Sequence, residues 1–348
     1  MKAFVVSEPG SVGVVDRPDP HPGPGEVLVR VGVATICHTD MYLLSGRHQS
    51  ATYPVVPGHE FSGTICETGQ GVPAARLGQR VAVQTLLGCG WCTECQRGNP
   101  GFCPSVAEFG SLADGGWEEF VSMPGYAARP FEGDLSLAGA ALTEPSANAH
   151  AIVRSAGTRS TDVVVVIGPG AIGLLTLQYA RLRHPRRTIV VGTQKDVRRL
   201  EVARAHGADD VLACSSTEEA LERVLSLTGG RGADAVLQCA GSTGATRLAI
   251  GIVATNGRVA IEGVVGGWDE IGVSPDRLVA KQCVLRGVRG WTVPDFCAAL
   301  EYNARGLVEL GPIITHHFPL HSHEEALRLA FGGGEEAIKV AFDLAVPS

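Results

Sequence analysis

Downstream of residue 161 the apolar positions fall into a repeating order of short continuous run, glycine-rich turn and amphipathic stretch. VVVVI leads into a glycine turn and AIGLLTLQYARL, and TIVVG leads into DVRRLEVARAHGAD. ADAVLQCAG (residues 233–241) and GRVAIEGVVGG (257–267) extend the series. Unbroken β-branched runs suit strands buried on both faces, and their alternation with helical stretches predicts βαβ units around a parallel sheet. Upstream, EVLVRVGV (26–33) and RVAVQTLL (80–87) stand among Gly and Pro, a texture that predicts irregular antiparallel β structure with long loops. After about residue 289 mixed helix and strand return and end in KVAFDLA. The expected division is a β-rich domain over 1–148, a doubly wound α/β domain over 149–287, and a return segment over 288–348 that completes the first domain.

Composition bounds the function without choosing it. At 348 residues, 45% hydrophobic and 19% charged, the chain can bury two cores. A net charge of -7 and a pI near 5.9 disfavour nucleic acid or an anionic membrane as partner. The opening MKAFVVSEPGSVGVVDRP has neither a long apolar core nor a small-residue cleavage site, and no apolar run reaches membrane-spanning length. A cytoplasmic protein is expected, so its ten cysteines should be metal ligands or reduced thiols. No internal repeat or low-complexity tract is apparent.

Directly after Val163–Ile167 come Gly168, Pro169, Gly170, Ala171, Ile172 and Gly173, a GxGxxG string between a predicted strand and a predicted helix. In that context Gly168 permits the tight turn, Gly170 lets the backbone approach a pyrophosphate, and Gly173 lets helix and strand pack closely. The phosphates would then meet the positive end of the helix. About twenty residues on, an acid suits the ribose of NAD and a basic residue the phosphate of NADP. Here the second strand gives way to Thr193, Gln194, Lys195, Asp196, Val197, Arg198 and Arg199. Asp196 could bend back to a ribose with Thr193 beside it, or Lys195 and Arg198 could receive a phosphate. The expectation leans slightly to NAD.

Four cysteines crowd the stretch GCGWCTECQRGNPGFCP: Cys89, Cys92, Cys95 and Cys103. Thiolates this close suit one tetrahedral zinc better than a disulfide cluster, and four sulfurs leave no open position for chemistry. A catalytic centre must be sought elsewhere. Cys37 in ATICHTDMY and His59 with Glu60 in PVVPGHEFSG supply a thiolate, an imidazole and a carboxylate, and Glu144 in TEPSANAH adds a further candidate. Taken singly, each could be a core residue or a salt-bridged acid. Cys66, Cys214, Cys239, Cys283 and Cys297 sit in apolar sequence and are expected in the core.

Together the GxGxxG turn, the cysteine quartet, the CHTD, GHE and EPSANAH segments and the late ITHHFPL resemble the zinc-dependent medium-chain dehydrogenases, which include alcohol, sorbitol and threonine dehydrogenases. The resemblance runs over essentially the whole length. It implies a GroES-like catalytic domain and a Rossmann cofactor domain. It also implies a catalytic zinc on Cys37 and His59, with Glu60 and Glu144 as alternating or water-mediated ligands, and a structural zinc on the quartet. The EP segment is similar to the polyol and threonine branch; familiar alcohol dehydrogenases carry a second cysteine near Glu144. In the family a hydroxyl two residues after the cysteine ligand accepts the substrate proton, which makes Thr39 the relay candidate. Where relatives often carry a histidine three residues further, this chain has Tyr42, with His38 and His48 as possible substitutes.

The implied activity is reversible transfer of hydride between a secondary alcohol, polyol or amino alcohol and NAD(P), in a homodimer or homotetramer. Two other readings are a zinc-independent quinone or enoyl reductase and a catalytically silent cofactor-binding protein. Retention of every metal ligand weighs against both. Gly263, Gly287 and Arg289 fall where the family's last strands pass the nicotinamide, although each could be a turn residue or a solvated charge. His316 and His317 suit a structural role better than a metal. Trp91, Trp117, Trp268 and Trp291 could each belong to core or pocket.

Overall fold

The computed structural model describes residues 1–48, 50–263, 269–332 and 337–344; Trp268 and residues 264–267 of the GRVAIEGVVGG stretch lie outside them. The chain divides into two compact units, Asn148–Trp291 and the combination of Met1–Ala147 with Thr292–Ser348. Among the described residues no helix is long and apolar enough to cross a membrane.

In the unit formed by Asn148–Trp291, six parallel strands lie in the spatial order Asp210–Cys214, Arg187–Thr193, Val163–Ile167, Ala233–Gln238, Val253–Ile261, Val284–Gly287. Numbered along the unit this is 3-2-1-4-5-6, the doubly wound order whose ligand crevice opens at the carboxyl ends of strands 1 and 4. Val163–Ile167 is buried at every position because helices cover both of its faces, which is why it reads as an unbroken valine run. Val165, Ile189, Val236 and Leu248 are among the side chains that close its core.

The other unit is built on an antiparallel sheet. Glu26–Thr35 pairs with Glu60–Thr68 on one side and with Lys339–Asp343 and Phe120–Pro124 on the other. Arg80–Val83 and Ala128–Pro130 extend one end of the sheet, and Ile314–Pro319 lies parallel to Lys339–Asp343 at the other. Trp117, wholly buried, packs edge-on against Phe4 and Phe342 with ring centroids 5.4 and 5.1 Å apart. The returning strand carries a positional consequence. Ala341 stands opposite Thr35, and Thr35 opposite Glu60, so Lys339, two residues before Ala341, shares their face of the sheet.

Two of the expected core cysteines are exposed, Cys66 on the strand Glu60–Thr68 and Cys297 on the helix Val293–Ala304. Their apolar sequence neighbours do not share their direction, since side chains alternate across a strand and rotate around a helix. Cys214 is buried as expected, and Cys239 and Cys283 are half-buried. Trp117 and Trp291 are core residues, whereas Trp91 is 78% exposed.

Candidate active site

Cys37 ends the extended segment after Thr35 and caps the helix His38–Leu44, with φ of -109°. Its amide donates to Asp40 Oδ2 at 2.8 Å and its carbonyl accepts from the Asp40 amide at 3.0 Å, a reciprocal cap that holds the thiol in place. His59 follows Gly58, whose φ is +96° and where a Cβ would lie 2.3 Å from the Trp117 ring. Only glycine fits under that indole, and the turn it makes carries His59 inward. His59, Glu60 and Asp40 are all buried.

The structure brings Cys37, His59 and Glu60 together: one ligand atom from each lies within 4.8 Å of the others. Behind them, His59 Nδ1 is 3.5 Å from Asp40 Oδ1. Burial disfavours a charged His59, yet Asp40 and the Cys37 sulfur outweigh it and hold its pKa well above the ordinary value. A pocket that draws a proton onto a buried imidazole is one that a divalent cation would satisfy, so the donor set fits zinc. Thr39 Oγ1 lies 3.7 Å from Cys37 Sγ.

Glu60 has two partners within its own sheet. Thr35 donates to its carboxylate, and Lys339 Nζ donates at 2.7 Å. Burial alone would raise the Glu60 pKa, but Lys339 reverses the sign and keeps the carboxylate ionised. Lys339 is itself raised, because Glu60 and Cys37, with a smaller contribution from Glu144, outweigh its burial. Glu144 sits half-buried in the first turn of Thr143–Ala156 and is not in the three-residue group.

Asp40 and Lys339 escaped the sequence reading. Asp40 had a local signal, since an acid three residues after a helix-capping position is a capping box. Lys339 had a weaker one: a lysine opening an apolar strand that is otherwise buried.

The sulfurs of Cys89, Cys92, Cys95 and Cys103 also lie within 4.8 Å of one another, with Cys89 and Cys95 at 4.0 Å. Zinc–sulfur bonds in a tetrahedron place sulfurs about 3.8 Å apart, so the quartet fits the ion. Amides of Cys89 and Ser105 point at Cys103 Sγ, at 3.3 and 3.4 Å, and bring its pKa down to about 7. Although the Gly90 amide favours the Cys95 thiolate, burial and the three neighbouring sulfurs push its pKa up to about 12. Sulfurs this close cannot all ionise without a cation between them.

In the parallel-sheet unit, Gly168 has φ of +93° and Gly173 packs so tightly that a Cβ there would sit 1.8 Å from the Gly168 carbonyl oxygen. A Cβ on Gly170 would meet nothing within 4 Å. Packing therefore explains two of the three glycines, and the open approach at Gly170 fits a pyrophosphate. Gly170 caps the helix Ala171–Arg181 without a side-chain acceptor, leaving first-turn amides for phosphate oxygens. Pro169, Ala171 and Ile172 make up the rest of that turn. Beside it lies a cavity of about 250 Å³ lined by Gly168, Gly192, Thr193, Asp196, Ser215, Thr217 and neighbours. Arg198 is exposed on the next helix.

Among the remaining candidates, Gly263 follows the strand Val253–Ile261 and its amide donates to Gln238 Oε1 at 3.1 Å. Gly287 ends the sixth strand, and Arg289 is exposed just beyond it. His317 pairs with Asp343 at 2.9 Å and His316 contacts Thr315 at 3.0 Å; neither joins a metal group among the described residues. Tyr42 lies under Arg47, and His38 packs edge-on against Phe331.

Residues 23–131 match the Alcohol dehydrogenase GroES-like domain, and residues 171–304 the Zinc-binding dehydrogenase family. A sorbitol dehydrogenase from Halalkalibacterium halodurans is 31% identical over 343 residues, covering 98% of each chain. Among solved structures, the alcohol dehydrogenase RspB of Escherichia coli CFT073 complexed with NADH is 28% identical with a TM-score of 0.90, covering 99% of both chains. A provisionally assigned zinc-binding dehydrogenase of Sinorhizobium meliloti 1021 bound to NADP is 27% identical with a TM-score of 0.91, covering 98% of both.

Proposed function

The chain belongs to the zinc-type medium-chain dehydrogenases, enzymes that pass hydride between an alcohol and a nicotinamide dinucleotide, and we propose that it does so at a zinc held by Cys37 and His59, with Glu60 and Glu144 as alternating or water-mediated ligands. The reaction interconverts a secondary alcohol, polyol or amino alcohol with its ketone. The observation that carries the site is the convergence of Cys37, His59 and Glu60, with Asp40 behind the imidazole.

When bound, the metal supplies a Lewis acid that makes an alcohol hydroxyl more acidic, and the nicotinamide accepts the hydride. The chain's own residues do the rest. Asp40 takes the Nδ1 proton of His59 as its hydrogen-bond partner, which fixes the tautomer and leaves Nε2 to coordinate. Thr39 accepts the hydroxyl proton of the substrate and passes its own outward. Lys339 and Thr35 keep Glu60 ionised, the form in which it can serve as an alternating ligand.

The quartet of Cys89, Cys92, Cys95 and Cys103 holds a second, structural zinc in this reading, and the enzyme works in the cytoplasm as a homodimer or homotetramer. A panel of polyols and amino alcohols, followed by the absorbance of reduced nicotinamide, tests the activity. Cysteine quartet variants should lose stability first, whereas His59→Ala should abolish turnover in a folded protein.

A further inference from the structure

We infer that this enzyme takes the 2′-phosphorylated dinucleotide, NADP, and that Lys195 is the residue that selects it. The inference rests on the dinucleotide reading above and reverses the slight sequence lean to NAD. Selection of NAD calls for a carboxylate at the end of the second strand with oxygens able to accept from both ribose hydroxyls. The strand Arg187–Thr193 ends in a neutral residue.

Asp196 is the one charged residue among those lining the cavity, and its carboxylate is already engaged. Oδ2 accepts from the Thr193 amide at 2.9 Å and from Thr193 Oγ1 at 2.7 Å, while Oδ1 accepts from Arg199 Nη1 at 3.3 Å. The acid that could have bent back to the ribose instead caps its own turn. Recruiting it would break that cap and the contact with Arg199.

The charge left over on this turn is positive. Lys195, in the short turn Gln194–Asp196, is exposed and has no hydrogen bond or ion pair among the described residues. Glu219, two residues beyond the lining residue Thr217, accepts from the Ser215 amide and hydroxyl and pairs with Arg223 at 3.2 Å, so its carboxylate is committed elsewhere. An ammonium with no partner beside a committed carboxylate suits a phosphate and offers nothing to a bare diol.

Equilibrium titrations of the zinc-loaded protein with NADPH and with NADH, read by nicotinamide fluorescence, test this directly. Adenosine 2′,5′-bisphosphate and AMP are run as competitors. NADPH should bind at least about tenfold tighter than NADH, the least that one charge-assisted contact is worth. Lys195→Ala should bring the two within about threefold, and Lys195→Arg should keep the preference. Because each readout is a ratio within one protein sample, partial unfolding of a variant does not mimic the effect. NADH binding as tightly as NADPH, or a ratio unmoved in Lys195→Ala, overturns the inference and leaves the dehydrogenase reading standing. Failure of both dinucleotides to bind overturns that reading, and the inference with it.

Discussion

Lys339 Nζ donates to the Glu60 carboxylate at 2.7 Å although the two residues are 279 positions apart, and both are buried. The last strand of the chain thus supplies the counter-charge to a residue adjoining the proposed zinc ligand His59. Removing one member of such a pair leaves an uncompensated buried charge. Lys339→Met should therefore cost roughly 3–5 kcal/mol in denaturant unfolding of the zinc-loaded protein, and Glu60→Gln combined with it should recover most of the loss. A single variant within about 1 kcal/mol of the parent would show the pair to be incidental.

Asp40 should act through His59. Asp40→Asn keeps the shape and removes the charge, so zinc affinity at the Cys37 centre should fall by about 10–100-fold in chelator competition. Unchanged affinity would remove Asp40 from the site.

Thr39→Val is isosteric and loses only the hydroxyl. Turnover should drop by about 100-fold or more, as expected for loss of a positioned proton acceptor, with both zincs retained. Equal turnover in parent and variant would end the relay assignment.

Away from the site, burial, with some help from Asp114, pushes Glu118 up to about 8 despite Arg17 beside it. A carboxyl whose folded pKa is raised binds its proton in the native state after the unfolded chain has released it. The resulting stability is fully present below about pH 4.3 and is lost as pH rises through about 8. Glu118→Gln should thus lose less stability than the parent between about pH 5 and 8 in urea melts, while the two curves converge in acid. Parallel curves across that range would contradict the shifted titration.

Much of this architecture was readable from residue order because its causes are local. The valine run and the glycine turn answer to burial on both faces and to sterics within six residues. The quartet answers to ligand spacing inside one loop. Cys37 and His59 needed the family resemblance, since the 21 residues between them hide their approach. Lys339 was out of reach because its placement depends on the register of a return strand, and Cys66 and Cys297 were misplaced because apolar neighbours do not reveal which face a side chain takes. One local relationship was hidden from the sequence at the second strand's end: Thr193 and Asp196 hydrogen-bond each other, which bears on the choice between NAD and NADP.

Metal analysis of the purified subunit beside its His59→Ala and Cys95→Ala variants tests the central claim most directly. The parent should hold two zincs, one for each ligand group. His59→Ala should keep one zinc and its thermal stability yet show no alcohol-dependent reduction of the nicotinamide, and Cys95→Ala should lose the other zinc with a fall in stability. Two zincs and undiminished turnover in His59→Ala, or no zinc in an active parent, would contradict it.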